Sequence, residues 1–242
     1  MERKPKLLGT TFNEKVGQLN YYPPEDLLRI LLQIASRRPQ YENNARVRLK
    51  KEAVYNYFLN DIKLQQFFSS NISYCGLASV FFDRIFLISY PLICQAFLYE
   101  NDSKMVSIVG EQIQYMVKES GLRKFLVDNG AGIEFYPTSI FNSDSHKNNK
   151  YGWIDLDSNE CTSYAGCDDS FNLINKHADD RCLVSIWNAV GMKGLKFEEQ
   201  RQSVKEIIID RLKEKFELLG DDEITYDDTS LMYVRVLKLQ RR

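Results

Sequence analysis

Asp128, Gly130 and Gly132 stand almost side by side in the run FLVDNGAGIEFYPTS, directly after the apolar triplet Phe125-Leu126-Val127. A short apolar run of this kind predicts a strand buried on both faces. Two glycines one residue apart, just past such a strand, let the backbone turn sharply and approach a ligand with no Cβ in the way. Pro137 then suits the first position of a helix over 137–141, and a helix start beside a glycine turn favours anionic or carboxylate-bearing ligands. Further along, Asp155 and Asp157 close the apolar stretch YGWIDLD, Asn188 ends CLVSIWN, and Asp168-Asp169 lie between them in a polar segment.

Other reactive side chains have weaker claims. Cys75 lies in SYCGLAS, which resembles the nucleophile turn of papain-like peptidases and phytochelatin synthases, where a thiolate at a helix N-terminus is activated by the dipole. The base would have to be His146 or His177, the chain's two histidines, and both lie in polar stretches. A buried structural cysteine is the better account. Cys161, Cys167, His177 and Asp168-Asp169 do not match a recurrent zinc spacing, so they read as solvated loop residues and no metal is expected. Tyr21-Tyr22 and the other aromatics of the first hundred residues read as core rather than as a base-stacking platform.

These groups must be held by 242 residues whose 32 basic and 33 acidic side chains nearly cancel. A hydrophobic content of 44% is ample for a core and excludes global disorder. The near-zero charge gives no general basic field for nucleic acid, although Arg37-Arg38 and residues 46–51 make a local basic patch. The most apolar stretch, 80–98, contains Asp83, Arg84, Ser89, Pro91 and Gln95, too polar for a membrane span. Five cysteines, an odd number, with no signal-peptide pattern at the start point to reduced thiols and a soluble cytoplasmic protein.

Helices are predicted over 24–39, 44–58 and 62–68, then over 76–90 and 91–100 as a pair or as one helix kinked at Pro91. Residues 104–119 carry a helical stripe of Met105, Ile108, Val109, Ile113, Met116 and Val117, stopped by Gly121. Strands are expected at 125–127, 151–156 and 182–187, with 158–180 mostly loop around one short helix. Residues 197–219 place Val204, Ile207, Ile208, Leu212 and Phe216 at helical spacing, and 224–226 with 231–239 close the chain as an antiparallel hairpin. A helical region over 1–103 thus precedes an α/β domain over 104–242.

The order of these motifs resembles the class I S-adenosylmethionine-dependent methyltransferases. FLVDNGAG looks like their first motif, a strand followed by a glycine turn, and YGWIDLD like their second, a strand ending in a ribose-binding acid. RCLVSIWN is placed like their fourth, the strand whose end faces the transferred methyl. The resemblance runs from Gly121 onward; it lacks a third glycine, with Glu134 and Phe135 nearby instead, and the gap from Asp128 to Asp155 is long. It implies a doubly wound, Rossmann-like α/β sheet with an antiparallel C-terminal hairpin, a helical N-terminal region capping the cleft, and S-adenosylmethionine as cofactor. It further implies that Asp128 and Gly130 meet the methionine part, that Gly132 also binds the cofactor, and that Asp155 meets the ribose and Asp168 or Asp169 the adenine amine. Asn188 would stand beside a small-molecule or protein methyl acceptor, with the catalytic residue unassigned.

Residues 127–133, VDNGAGI, also resemble the ATP-contacting box of the fold shared by histidine kinases, Hsp90 and MutL. Gln95-Ala96, with Asn101 close by, would replace the Mg²⁺-holding asparagine of that family, and Gly191 to Gly194 its second glycine box. The acids ending YGWIDLD favour the methyltransferase. A non-catalytic α/β protein that keeps the turn as architecture is the third reading.

Overall fold

The computed structural model describes residues 6–7, 54–55, 57–59, 66–78, 86, 92–118, 120–157, 164–189, 197–227 and 231–242. Its contacts divide the chain into two units, Lys15–Ser145 and a second made of Met1–Glu14 with His146–Arg242. The boundary expected at 103/104 lies inside the first of these.

In the unit Lys15–Ser145, β2 (Ile72–Leu77), β3 (Ile93–Tyr99) and β4 (Gly132–Tyr136) run parallel with β3 in the middle. Tyr74 and Cys75 of β2 and Ala96, Leu98 and Tyr99 of β3 are buried on successive positions, so both faces of these strands are covered, as parallel strands require. The return from β3 to β4 is made by α1 (Ser103–Lys118) and α2 (Ser120–Asp128). The predicted stripe forms α1: Val109, Ile113 and Met116 line its buried side. Gly121 lies inside α2 rather than ending the helix before it.

Four expectations are corrected here. Residues 93–99, read as helix, form β3, and Gly76 and Leu77, read as a helix start, belong to β2. An apolar run buried on both faces shows no alternation, so periodicity alone does not separate it from a buried helix. The first hundred residues are therefore not all helical. Phe125-Leu126-Val127, read as a buried strand, lies in α2, with Leu122 and Leu126 buried one turn apart and Val127 72% exposed. Residues 137–141 form bends and turns, and the short α3 (Ser143–His146) follows. Most of the helices expected over 24–68 lie outside the described residues; 54–55, 57–59 and 66–67 are helical.

The second unit holds β5 (Tyr151–Leu156), α4 (Tyr164–His177) and β6 (Ala178–Ala189), a strand–helix–strand crossover with the two strands parallel. The segment read as mostly loop thus contains a fourteen-residue helix. α5 (Phe197–Ser203) continues into a π-helical turn, Val204–Ile209, and a last turn, Asp210–Leu212. The helix expected to reach residue 219 stops there, because Phe216 already opens β7 (Phe216–Asp227). β8 (Leu231–Arg241) pairs antiparallel with both β7 and β6, and β1 (Lys6–Leu7) adds to β7 in parallel. The expected C-terminal hairpin is present and longer than its predicted strands. Among the described residues no helix is long and apolar enough to cross a membrane.

Candidate functional site

In open α/β sheets, ligands bind outside the carboxyl ends of the parallel strands. In the unit Lys15–Ser145 those ends are Leu77-Ala78, Tyr99-Glu100 and Tyr136. Backbone bonds hold them together: Ala78 N–H donates to the Tyr99 carbonyl at 2.7 Å, and Glu100 N–H to the Tyr136 carbonyl at 3.2 Å. The rings of Tyr99 and Tyr136 stack with centroids 5.1 Å apart. Tyr136 donates its hydroxyl to Glu134 at 2.5 Å, and burial, with Glu134 adding to it, raises that hydroxyl to about 12. Gly76 precedes the first of these ends, and a Cβ there would strike the phenol of Tyr74.

Glu100 is the half-buried acid of this group. One of its oxygens accepts the Asp102 N–H at 2.9 Å, and Asp102 in turn caps α1 by accepting the N–H groups of Lys104 at 2.8 Å and Met105 at 3.3 Å. The cap fixes where the chain leaves β3 and so fixes Glu100. Its second oxygen has no partner among the described residues. Glycine near the end of one parallel strand and an acid at the end of the next, roughly 20 residues on, is the spacing of a ribose-binding site. Sequence reasoning missed Glu100 because it took 91–100 for helix; the signal was present, since FLYE ends an apolar run in an acid as YGWIDLD does.

The predicted residues fall as follows. Asp128 is exposed at the end of α2 and pairs with Lys124 at 2.5 Å, one turn back. Gly130 has φ of 62° and completes a helix stop: Gly130 N–H donates to the Val127 carbonyl at 3.2 Å and Ala131 N–H to that of Leu126 at 2.7 Å, the two bonds of a Schellman motif. Gly132 opens β4, where a Cβ would come within 2.5 Å of Gln95 Oε1. All three therefore lie at the amino end of β4, opposite the carboxyl ends where Tyr136 and Glu100 stand. Gln95 is on β3 and donates Nε2 to the Gly130 carbonyl at 3.3 Å, so it is not the helix-borne Mg²⁺ ligand that the ATP-binding reading needs.

In the second unit, Asp155 is buried in β5 and accepts from Ser185 Oγ at 2.5 Å and Trp187 Nε1 at 2.6 Å; Trp153 Nε1 donates to Ser185 at 2.9 Å. Asp168 lies on α4 and pairs with Arg211, whose guanidinium covers Phe171 at 3.8 Å; Asp169 is exposed. Asn188, next to last in β6, is buried, and neither side-chain atom has a partner among the described residues. Cys75 and Cys167 are buried and in no disulfide, burial raising Cys167 to about 11; Cys161 lies outside the described residues. Among the described residues no three His, Cys, Asp or Glu side chains cluster to hold a metal.

No protein-family model matches the chain, and no curated protein does. Solved structures do. Magnesium protoporphyrin IX methyltransferase from Synechocystis, with bound S-adenosylmethionine, matches at a TM-score of 0.53 and 12% identity, over 92% of this chain and 100% of that one. The N-methyltransferase NodS from Bradyrhizobium japonicum, in complex with S-adenosylhomocysteine, matches at 0.52 and 7% identity, over 89% and 99%. An O-methyltransferase from Bacillus cereus matches at 0.52 and 9% identity, over 94% and 97%. The chain has the Rossmann-like α/β fold of S-adenosylmethionine-dependent methyltransferases, closed by an antiparallel hairpin.

Proposed function

We propose that this protein is an S-adenosylmethionine-dependent methyltransferase whose cofactor lies over the carboxyl ends of β2, β3 and β4. The observation that carries this reading is Glu100, an acid at the end of the second parallel strand with one oxygen committed to the backbone and the other unpartnered among the described residues. A ribose diol is the ligand group that such an oxygen accepts from. Gly76, where a side chain would collide with Tyr74, leaves room for that ring beside the carboxyl end of β2, and half-buried Tyr136 offers an aromatic flank. This assignment replaces the expected roles of Asp128 and Gly130, which lie at the end of α2, and of Gly132, which opens β4 at its other end. It also replaces the ribose role of Asp155, whose carboxylate is taken up by Ser185 and Trp187.

The cofactor supplies an electrophilic methyl group on a sulfonium. What the chain supplies is alignment of the acceptor with that methyl, since in-line displacement depends on proximity and orientation more than on covalent help. Asn188 remains the residue assigned to the acceptor, a small molecule or a protein side chain; an amide cannot serve as a general base at neutral pH, so an acceptor that is nucleophilic as it stands suits the site. Cys75, Cys94, Cys167 and Cys182, none of them in a disulfide, support a reducing, cytoplasmic setting.

The test is calorimetric titration with S-adenosylhomocysteine and, separately, with ADP and Mg²⁺. Binding of the first without metal supports the reading. Binding of ADP that depends on Mg²⁺, with none of S-adenosylhomocysteine, would return the ATP-binding alternative, and silence from both would leave the fold as architecture alone.

A further inference from the structure

Asn129-Gly130 is the one Asn-Gly step in the sequence, and it stands where α2 ends and the chain turns into β4. Glycine after an asparagine leaves its own amide nitrogen within reach of the neighbouring carboxamide, because no Cβ shields it. Here Gly130 has φ of 62° and open space where a Cβ would stand. Val127, Asp128, Asn129 and Gly130 are all exposed, so water reaches the whole turn.

Two hydrogen bonds hold the groups that would react. Gly130 N–H donates to the Val127 carbonyl at 3.2 Å, and Asn129 Nδ2 donates to the Phe125 carbonyl at 2.8 Å. Both must open before the nitrogen of Gly130 can approach the side chain of Asn129. They belong to a helix end that is poorly supported. α2 has no basic residue in its last turn, and Asp128 places a negative charge at the negative end of the helix dipole. Hydrogen bonds at such a solvent-facing end open at a small fraction of the cost of global unfolding. Asn142, which precedes Ser143, is held more firmly: its Oδ1 accepts the Asp144 N–H at 3.2 Å and its Nδ2 donates to Thr138 Oγ1 at 3.1 Å. The residue after it also carries a side chain.

We propose that Asn129 is a site of spontaneous deamidation, and that its conversion loosens the join between α2 and β4. The amide nitrogen of Gly130 attacks Asn129 Cγ. Its proton passes through water to the departing NH₂, the Cγ–Nδ2 bond breaks, and ammonia leaves behind a five-membered succinimide. Water then opens that ring at either carbonyl and yields aspartate or isoaspartate, with no oxidant or reductant needed. Either product loses the Nδ2 donor to Phe125 and sets a second carboxylate beside Asp128, where the dipole opposes it. Isoaspartate also adds a methylene to the main chain, so Gly130 and Ala131 can no longer both keep their bonds to Val127 and Leu126.

The experiment stores the full chain at neutral pH and reads amide-to-acid conversion at residues 129 and 142 by peptide mass spectrometry. Wild type and Gly130→Ala are compared, each folded and in urea. Conversion at Asn129 runs well ahead of that at Asn142 in the folded wild type, and urea speeds it by releasing the two bonds. Gly130→Ala loses most of the conversion. It does so in urea as well, which separates the effect of the added Cβ from any effect on folding. Converted wild type, separated by ion exchange, melts below the unconverted protein. Conversion at Asn129 only in urea would mean that the helix end stays closed, and would overturn the proposal. So would conversion at Asn142 equal to that at Asn129, an undiminished rate in Gly130→Ala, or equal midpoints for the converted and unconverted protein.

Discussion

The rings of His146 and His177 pack with centroids 4.8 Å apart, although the two residues precede different strands of the second unit. Tyr151 closes the cluster, its hydroxyl 2.9 Å from His146 Nδ1. His177 Nδ1 lies 3.0 Å from the Asn149 carbonyl and donates to it, which leaves Nε2 as the acceptor nitrogen, buried and without a partner among the described residues. Burial holds the His177 imidazole below its ordinary range; the Asn149 bond opposes this, and Lys176 and Lys150 add to it.

A pH dependence follows. In the unfolded chain His177 titrates near about 6.5, and in the folded protein lower, so around and below that pH the unfolded state binds more protons. Stability then rises with pH through this window and is lost as pH falls from about 6.5 toward the folded value. Melting midpoints taken between neutral and mildly acidic pH are expected to fall in wild type and to fall less in His177→Phe. An equal slope in the variant would assign the acid sensitivity to other groups.

Asp155 makes the second prediction. Its carboxylate joins Ser185, Trp187 and, through Ser185, Trp153 in one buried set. Removing it leaves an indole N–H and a hydroxyl without an acceptor, so Asp155→Ala is expected to cost about 3–5 kcal/mol. Asp155→Asn, which keeps one acceptor oxygen, is expected to cost less. Urea unfolding measures both. The folded fraction of Asp155→Asn should bind S-adenosylhomocysteine as wild type does; a loss of affinity larger than the loss of stability would restore Asp155 to the ribose.

How far the sequence was legible depends on what each run buries. The α1 stripe, β5, β6 and the closing hairpin were readable because their periods or lengths match one element only. β3 was not, because Ile93 to Tyr99 is apolar on both faces and reads equally as a buried helix. The same ambiguity, reversed, turned Phe125-Leu126-Val127 into a strand, and the glycines after it then looked like a ligand turn. Both bear on the candidate site: β2 carries Gly76 and Leu77 at its carboxyl end, and Glu100, the acid proposed for the ribose, directly follows β3. Asn188 was found for its place at a strand end, but that its buried amide has no partner among the described residues is visible only in the structure.

The two glycines of the run at 129–132 make the third prediction, since the structure gives them separate tasks. Gly130 needs its positive φ and has open space around it, so Gly130→Ala should cost about 1–2 kcal/mol of backbone strain, and Gly130→Asn less, since asparagine tolerates that conformation. Gly132→Ala instead meets the Gln95 side chain, and its cost should be relieved by Gln95→Ala in the same chain. Urea unfolding of the single and double variants checks this. Coupling between positions 130 and 95 equal to that between 132 and 95 would contradict it.

The last prediction separates the two ends of β4. If Glu100 holds the ribose, Glu100→Ala removes a charged acceptor for the diol and should weaken S-adenosylhomocysteine binding by about 10- to 100-fold, the range of one or two charge-assisted hydrogen bonds. Glu100→Gln keeps the oxygen that accepts the Asp102 N–H, so it should lose affinity with little loss of stability. Asp128→Ala, on the exposed end of α2 and paired among the described residues with exposed Lys124, should leave affinity unchanged and cost no more than about 1 kcal/mol. Calorimetric titration of the three variants decides between them. Loss of affinity in Asp128→Ala with none in Glu100→Gln would return the cofactor to the glycine run and refute the strand-end site.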